Sequence, residues 1–259
     1  MNLQLENKTA LVTGSTKGIG FAIARWLAAE GACVIVNGRT ETSAAAAAEK
    51  IGRAARGVGA DVSTAEGCAA LVSRVPAVDI LINNAGIFEP KPFAEIPDAD
   101  WDRFYEVNVM SGVRLTRAYL PGMLTRNRGR VLFISSESGV QIPAEMIHYG
   151  MTKAAQLALV NGLAQLTKGT AVTVNGVLPG PTASEGVTEF VSQLAAGARQ
   201  TPAEFEKEFF RSVRPTSLLQ RFASVDEVAS MVAYLCSPLA DATNGAAVRV
   251  DGGVVRGTF

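Results

Sequence analysis

Histidine and cysteine are the scarcest reactive residues in this chain: one histidine, His148, and three cysteines, Cys33, Cys68 and Cys236, among 259 residues. The cysteines are odd in number, far apart and flanked by apolar residues, which excludes the paired spacing of a zinc site or a disulfide framework. They are expected to be buried free thiols, and no metal site is expected. Neither sign of charge is in excess, with Lys plus Arg and Asp plus Glu at 24 each. No global field therefore draws the chain to nucleic acid or to an anionic membrane. No apolar run approaches the ~18 residues of a membrane span, and no basic segment followed by an apolar one precedes the first strand pattern at Thr9. A cytoplasmic protein with neither nucleic acid nor membrane as partner is expected. What the chain does have is apolar mass: 48% hydrophobic residues against 19% charged, too little charge for a disordered chain and enough apolar surface for a large core.

That mass is patterned. Short β-rich runs at Thr9–Val12, Cys33–Asn37, Ala55–Gly59, Ile80–Asn83, Val131–Ile134, Val172–Val177 and Ala247–Val250 alternate with helical periodicity at Ile19–Glu30, Ser43–Ile51, Ala65–Val75, Val109–Leu124, Tyr149–Leu166 and Val225–Cys236. Helical crossovers between strands are what a parallel sheet requires. The expectation is an α/β fold: one doubly wound (Rossmann-type) domain over residues 1–259, with seven mostly parallel strands flanked by helices. The alanine run Ala44–Ala48 reads as a surface helix capped by Thr40 or Thr42. Residues 181–216 mix Gly and Pro with Phe190, Phe205, Phe209 and Phe210 and read as a helical lid over a pocket. Those phenylalanines have a duller role open to them, packing a lid helix onto the body.

Directly after the first strand comes Thr13-Gly14-Ser15-Thr16-Lys17-Gly18-Ile19-Gly20. Its glycines allow backbone N–H groups to approach a pyrophosphate at the N-terminus of the next helix, so a dinucleotide is expected there. The second strand ends Val36-Asn37-Gly38-Arg39. No carboxylate stands where one would hold the ribose hydroxyls of NAD and repel a 2′-phosphate. Arg39, aided by Lys17, can pair with that phosphate, so NADP is favoured over NAD. The alternative is a solvated arginine that leaves the cofactors undiscriminated. Asp61, with Val62 beside it, ends the third strand, where the carboxylate either accepts from an adenine amino group or caps a helix.

Tyr149 and Lys153 stand four apart on one helical face, so an ammonium can lie near the phenol and favour its ionised form. Such a phenol exchanges a proton with an alcohol or alkoxide, the acid/base half of hydride transfer, and a cofactor supplies the other half. Ser135 and Ser136 close the fifth strand, and Asn83 and Asn84 the fourth, at the carboxyl edge where open α/β sheets bind ligands. His148 adjoins Tyr149 but does not share its face, and reads as a surface or pocket-wall residue. Trp101 and Phe104 read as core or subunit contacts.

Taken together, the glycine turn, Asn83-Asn84-Ala85-Gly86, Asn108, Ser136, Tyr149 with Lys153, and Pro179-Gly180 stand in the order and spacing of the short-chain dehydrogenase/reductase family, which the chain resembles over nearly its whole length. Among its members the chain looks most like the 3-oxoacyl-carrier-protein reductases. The resemblance implies that Ser136, thirteen residues before Tyr149, is the catalytic serine, with Ser138 behind it or in the pocket. It implies that Lys153 lowers the pKa of Tyr149 and binds the nicotinamide ribose. Asn108 would hold a water linking that lysine to solvent. Asn84, Ala85 and Gly86 would line the cofactor crevice and Pro179-Gly180 support the nicotinamide, with Thr182, Ser184 and Thr188 competing to reach its carboxamide. Val250-Asp251-Gly252-Gly253 resembles the family's ending, and a homotetramer is implied.

The expected reaction is hydride transfer between NADP or NAD and a carbonyl or secondary alcohol, with reduction of a small ketone or 3-oxoacyl compound favoured. An NAD-dependent alcohol dehydrogenase is the alternative, and a dinucleotide-sensing regulator the non-enzymatic one. Gln141, Ile142, Met146 and the lid are expected to choose the substrate. Arg128, Arg130 and Lys168 offer cations to an acidic carrier protein, whereas the long lid favours a free small molecule.

Overall fold

The computed structural model describes residues 2–185 and 201–257. Seven strands, β1 (Thr9–Val12), β2 (Cys33–Gly38), β3 (Ala55–Gly59), β4 (Ile80–Asn83), β5 (Gly129–Ile134), β6 (Val172–Pro179) and β9 (Ala247–Val250), form one sheet in the order β3-β2-β1-β4-β5-β6-β9. Every pairing in it is parallel, where the sequence promised only mostly parallel. The chain order reverses between β1 and β4, and this places a crevice at the carboxyl ends of those strands. A second pair, β7 (Thr182–Ala183) with β8 (Ala223–Ser224), escaped the sequence reading because two-residue strands carry no periodicity.

Helices α1 (Gly18–Ala29), α2 (Glu41–Ile51), α3 (Ala65–Arg74), α4 (Asp98–Tyr105), α5 (Ser111–Thr125), α6 (Ile147–Gln165), α7 (Pro202–Ser212) and α8 (Val225–Cys236) cover the sheet. Ile23, Leu27, Val228 and Val232 of α1 and α8 bury one face, against Val12, Ile82 and Ile134. Leu71, Leu115, Met123 and Val160 of α3, α5 and α6 bury the other, against Leu11, Leu81 and Phe133. Such strands, covered on both faces, read as continuous apolar runs, and β4, β5 and β6 are buried throughout. The alanine-rich α2 is less of a surface helix than its composition suggested. Ala44, Ala47 and Ala48 are buried, and a Cβ on Gly57 would stand 2.5 Å from the Ala44 carbonyl carbon. Small residues on both sides bring helix and strand backbones together, and Thr40 caps the helix by accepting from Ser43 N at 3.2 Å.

Cys68 and Cys236 are buried thiols as expected, but Cys33, the first residue of β2, is exposed. His148 is the larger correction: it is fully buried, 4.0 Å from the Phe104 ring and 5.9 Å from that of Trp101. Both ring nitrogens lack a partner among the described residues. Burial depresses its pKa, so an uncharged imidazole packs here as an aromatic core residue.

Candidate active site

The glycine turn is held open by packing as well as by its own flexibility. Gly18 takes φ +61°, a left-handed conformation that side chains rarely adopt, and a Cβ on Gly20 would lie 2.4 Å from Asn84 Nδ2 and 2.6 Å from the Gly14 carbonyl oxygen. Asn84 in turn donates to the Thr13 and Gly14 carbonyls at 2.9 and 3.1 Å. Thr13 Oγ1 accepts from the N–H groups of Asn84 and Ala85. The sequence-expected elements Thr13–Gly20 and Asn84–Gly86 are therefore one interlocked unit. Ser15 faces inward, donating to the Val12 carbonyl, while Thr16 packs beside Gly38 at the end of β2. Lys17 is exposed at the N-cap of α1. Arg39 is exposed and makes no hydrogen bond or ion pair with another described residue.

An anion already stands at this helix terminus: Glu185, just beyond β7, accepts from Gly18 N at 2.6 Å through its carboxylate. That contact shows the turn presenting an N–H to negative oxygen, so the residues present fit a dinucleotide diphosphate. Asp61 is exposed and accepts from Ser63 N at 3.0 Å. The cap of α3 is Thr64, accepting from Gly67 N, which removes capping as a role for Asp61. The Val62 side chain is buried in the core.

Tyr149, Ser136 and Lys153 converge on one cavity of about 390 Å³ that extends to Ile19, Asn84 and Gly86 on one side and Pro179–Thr182 on the other. Ser135 is excluded as the reacting serine by its geometry. Its hydroxyl donates to the Lys153 carbonyl at 2.9 Å, whereas Ser136 donates to Glu137 and lies close enough to Tyr149 to act on the phenol. Burial, the main cause, raises the Tyr149 phenol above its ordinary value, and the Ser136 hydrogen bond opposes this only in part. Burial likewise pushes Lys153 down to about 7. Burial thus acts against the ionised phenol that the Tyr149–Lys153 spacing favours. The Lys153 amine sits 5.6 Å from the Tyr149 ring centroid and donates to the Ile134 carbonyl at 2.8 Å.

Asn108 lies buried in a π-helical turn, Glu106–Met110, between α4 and α5, a widening often found at functional sites. Its side chain donates to the Ile87 carbonyl and to Thr152 Oγ1 and accepts from Ile87 N, tying the β4 loop to α6. The Asn108 carbonyl accepts from Gln156 Nε2 at 2.5 Å, and Gln156 Oε1 accepts from Lys153 Nζ at 3.3 Å. A buried amide thus bridges Asn108 to the lysine. Gln156 stands seven after Tyr149 on α6, and its polarity on a buried face is the signal that could have revealed it.

Thr182 is buried, donates to the Gly180 carbonyl and lines the cavity, as does Ser184. Thr188 and Phe190 lie outside the described residues. A Cβ on Gly180 would stand 2.5 Å from the Asp251 carbonyl oxygen, so the C-terminal turn supports Pro179–Gly180 from below. Of the lid phenylalanines, Phe210 is core, while Phe205 and Phe209 line the cavity together with Phe222. Met146 also lines it, but Gln141 and Ile142 do not; both point to solvent. Arg128 and Arg130 are spoken for by Asp79 and Asp241 and sit at the start of β5, the sheet edge opposite Ser136. Two residues that the sequence reading passed over, Glu137 and Arg214, form a buried ion pair in the cavity wall.

Residues 8–195 match the family model for short chain dehydrogenases. The chain belongs to the short-chain dehydrogenase family. This dehydrogenase is an oxidoreductase of the CH–OH/C=O class. It is 50% identical to the oxidoreductase YvaG of Bacillus subtilis (strain 168), with all of both chains covered. It is 33% identical to the 3-oxoacyl-[acyl-carrier-protein] reductase FabG of Aquifex aeolicus, over 98% of this chain and 100% of that one. The L-sorbose reductase of Gluconobacter frateurii, solved with NADPH and L-sorbose, superposes with a TM-score of 0.93 at 32% identity, covering 99% of this chain and 100% of that one. Among the described residues, no helix is long and apolar enough to cross a membrane.

Proposed function

We propose that this dehydrogenase is an NADP-preferring reductase of a small, free ketone. One observation carries the reading: the cavity that holds Ser136, Tyr149 and Lys153 continues to the glycine turn's neighbours Ile19 and Asn84 and to Pro179–Thr182, so substrate carbonyl and dinucleotide meet at one place. The NADPH in the L-sorbose reductase complex supports the cofactor class. Within this chain, Arg39 and Lys17 are exposed cations beside a β2 terminus that carries no carboxylate. Gly14, Ser15, Thr16, Gly18, Ile19 and Gly20 shape the diphosphate turn, and Asp61 and Val62 end the strand on its adenine side. Of the three cations that could meet an acidic carrier, Arg128 and Arg130 are engaged by Asp79 and Asp241 at the far edge and Lys168 is exposed, which favours a free substrate over a carrier-bound 3-oxoacyl chain.

Reduced nicotinamide supplies the hydride. Ser136, once its hydroxyl turns from Glu137 to the substrate, and Tyr149 hold the carbonyl oxygen, and the phenol gives it a proton as negative charge develops. A phenol whose pKa is raised by burial keeps that proton through the neutral range, which suits reduction. Lys153 and Gln156 fix the helix around it, and Lys153 would hold the nicotinamide ribose when the cofactor is bound. Parallel fluorescence titrations with NADPH and NADH, followed by turnover with a ketone panel, test the reading. Tyr149→Phe should bind NADPH as wild type does and lose ~100-fold or more in kcat. Arg39→Ala should weaken NADPH by about 1.5–3 kcal/mol and spare NADH. Retained turnover in the first variant refutes the phenol as acid, and equal losses in the second remove Arg39 from cofactor choice.

A further inference from the structure

The cavity wall beside Ser136 holds charges that hydride transfer does not require. Glu137, at the end of β5, is 4% exposed. Its Oε2 accepts from Ser136 Oγ at 2.5 Å, from Ser138 N at 2.5 Å and from Ser138 Oγ at 2.8 Å. Its Oε1 accepts from Arg214 Nε at 3.1 Å. Arg214 follows lid helix α7, and its side chain is 10% exposed. Through Nη1 it also donates to Glu145 Oε1 and to the Val213 carbonyl, each at 3.0 Å. Glu137, Glu145 and Arg214 all line the cavity that holds Tyr149.

Burying ions costs several kcal/mol each, and apolar residues of like volume are often as stable or more so. A pocket meant only for an apolar ketone would gain nothing from this pair. Counting donors shows what is left over. Of the five guanidinium N–H groups, one on Nε and two on Nη1 are used, while Nη2 has no partner among the described residues. Glu137 Oε1 takes one donor and keeps a lone pair free. Among the described residues, donors left open next to an open acceptor are the complement of a hydroxyl, which both accepts and donates. Two carboxylates facing one guanidinium leave the cluster negative, which disfavours a carboxylate or phosphate there.

We propose that Arg214 and Glu137 form a second binding point that takes a hydroxyl one or two carbons from the reacting carbonyl, making the enzyme a reductase of uncharged hydroxyketones. The spacing follows from Glu137 being in direct contact with Ser136, which holds the carbonyl oxygen. This rests on the reductase reading above. In the reaction, hydride adds to the carbonyl carbon and the Tyr149 proton to its oxygen, while the second hydroxyl leaves unchanged. The apolar remainder of the wall, Phe88, Phe205, Phe209 and Val213, receives the carbon chain. A site built to hydrogen-bond a substrate hydroxyl penalises the analogue that lacks it, because its own buried groups are then left unpaired.

The test compares kcat/KM with NADPH for 1-hydroxy-2-butanone, 2-butanone and anionic 2-oxobutanoate. The wild type should prefer the hydroxyketone by ~100-fold or more over both. Glu137→Gln combined with Arg214→Met removes both charges without stranding either. It should bring the ratio of hydroxyketone to ketone to within ~3-fold, with NADPH affinity unchanged. Arg214→Lys keeps a cation beside Glu137 but loses the guanidinium fork, and should lower the ratio ~10-fold with NADPH affinity unchanged. Equal wild-type efficiency on 2-butanone and its hydroxy analogue, or an unchanged ratio in both variants, overturns the subsite alone. NADPH binding with no reduction of any of the three ketones overturns the reductase reading and the subsite with it.

Discussion

A lysine and a tyrosine four residues apart describe a helical face but not the water around it. The spacing Tyr149–Lys153 supports an ammonium stabilising a phenolate, yet burial acts on each group separately and in opposite directions, raising the phenol and lowering the amine. The balance has a measurable sign. The folded-state pKa of Lys153, about 7, lies below its ordinary 10.5. Between those values the unfolded chain holds a proton that the folded chain does not, so stability rises with pH across that window. Below it, the folded state bears the cost of a buried ammonium. Lys153→Met should therefore melt above wild type at pH 6, with the gap in Tm narrowing from pH 7 to pH 10. A gap that stays constant would mean that the amine is charged throughout. Glu137 and Gln156 belong to the same scale: each is a polar residue in an apolar neighbourhood, and only the partners Arg214, Asn108 and Lys153 explain its presence.

At the level of elements, the regular parts were legible because their periodicity is long. All seven strands of the main sheet were found, and α8 was found with its ends, since Ser224 and Glu227 form a capping box at its start. The helix α4 was missed although Trp101 and Phe104 already showed its spacing; at eight residues and one fully buried side chain it carries little amphipathic signal. Among the described residues of the stretch expected to form a lid stands α7, which opens on a Thr201–Glu204 capping box with Pro202 in its first turn. The strand–turn–helix unit of β1 and α1 depends on close packing that a single methyl group would break. Gly20→Ala should lower NADPH affinity ~10-fold or more and cost about 1–3 kcal/mol in urea denaturation, with the far-ultraviolet circular dichroism retained. Wild-type affinity in that variant would show that Asn84 and Gly14 yield without moving the turn.

Across the whole molecule, the resemblance to the family implies a homotetramer, and the single chain leaves apolar side chains that an assembly would cover: Leu218 is 85% exposed and Leu166 61%. Sedimentation equilibrium is expected to return four chain masses, and Leu218→Asp to shift the population to smaller species; a wild-type monomer would refute the assembly. The sequence by itself determined the fold class and the glycine-rich turn, and it set Tyr149 and Lys153 on one helical face, because strand alternation, glycine spacing and a four-residue helical offset are local properties of the chain; the choice of Ser136 came from the family resemblance. Tertiary structure alone decided the rest. It brought Arg214 from the lid to Glu137, 77 residues away in sequence, set Gln156 between Asn108 and Lys153, placed Glu185 against Gly18, and turned Arg128 and Arg130 away from the substrate. Desolvation and pairing depend on what surrounds a side chain in three dimensions, and no spacing along the chain records that.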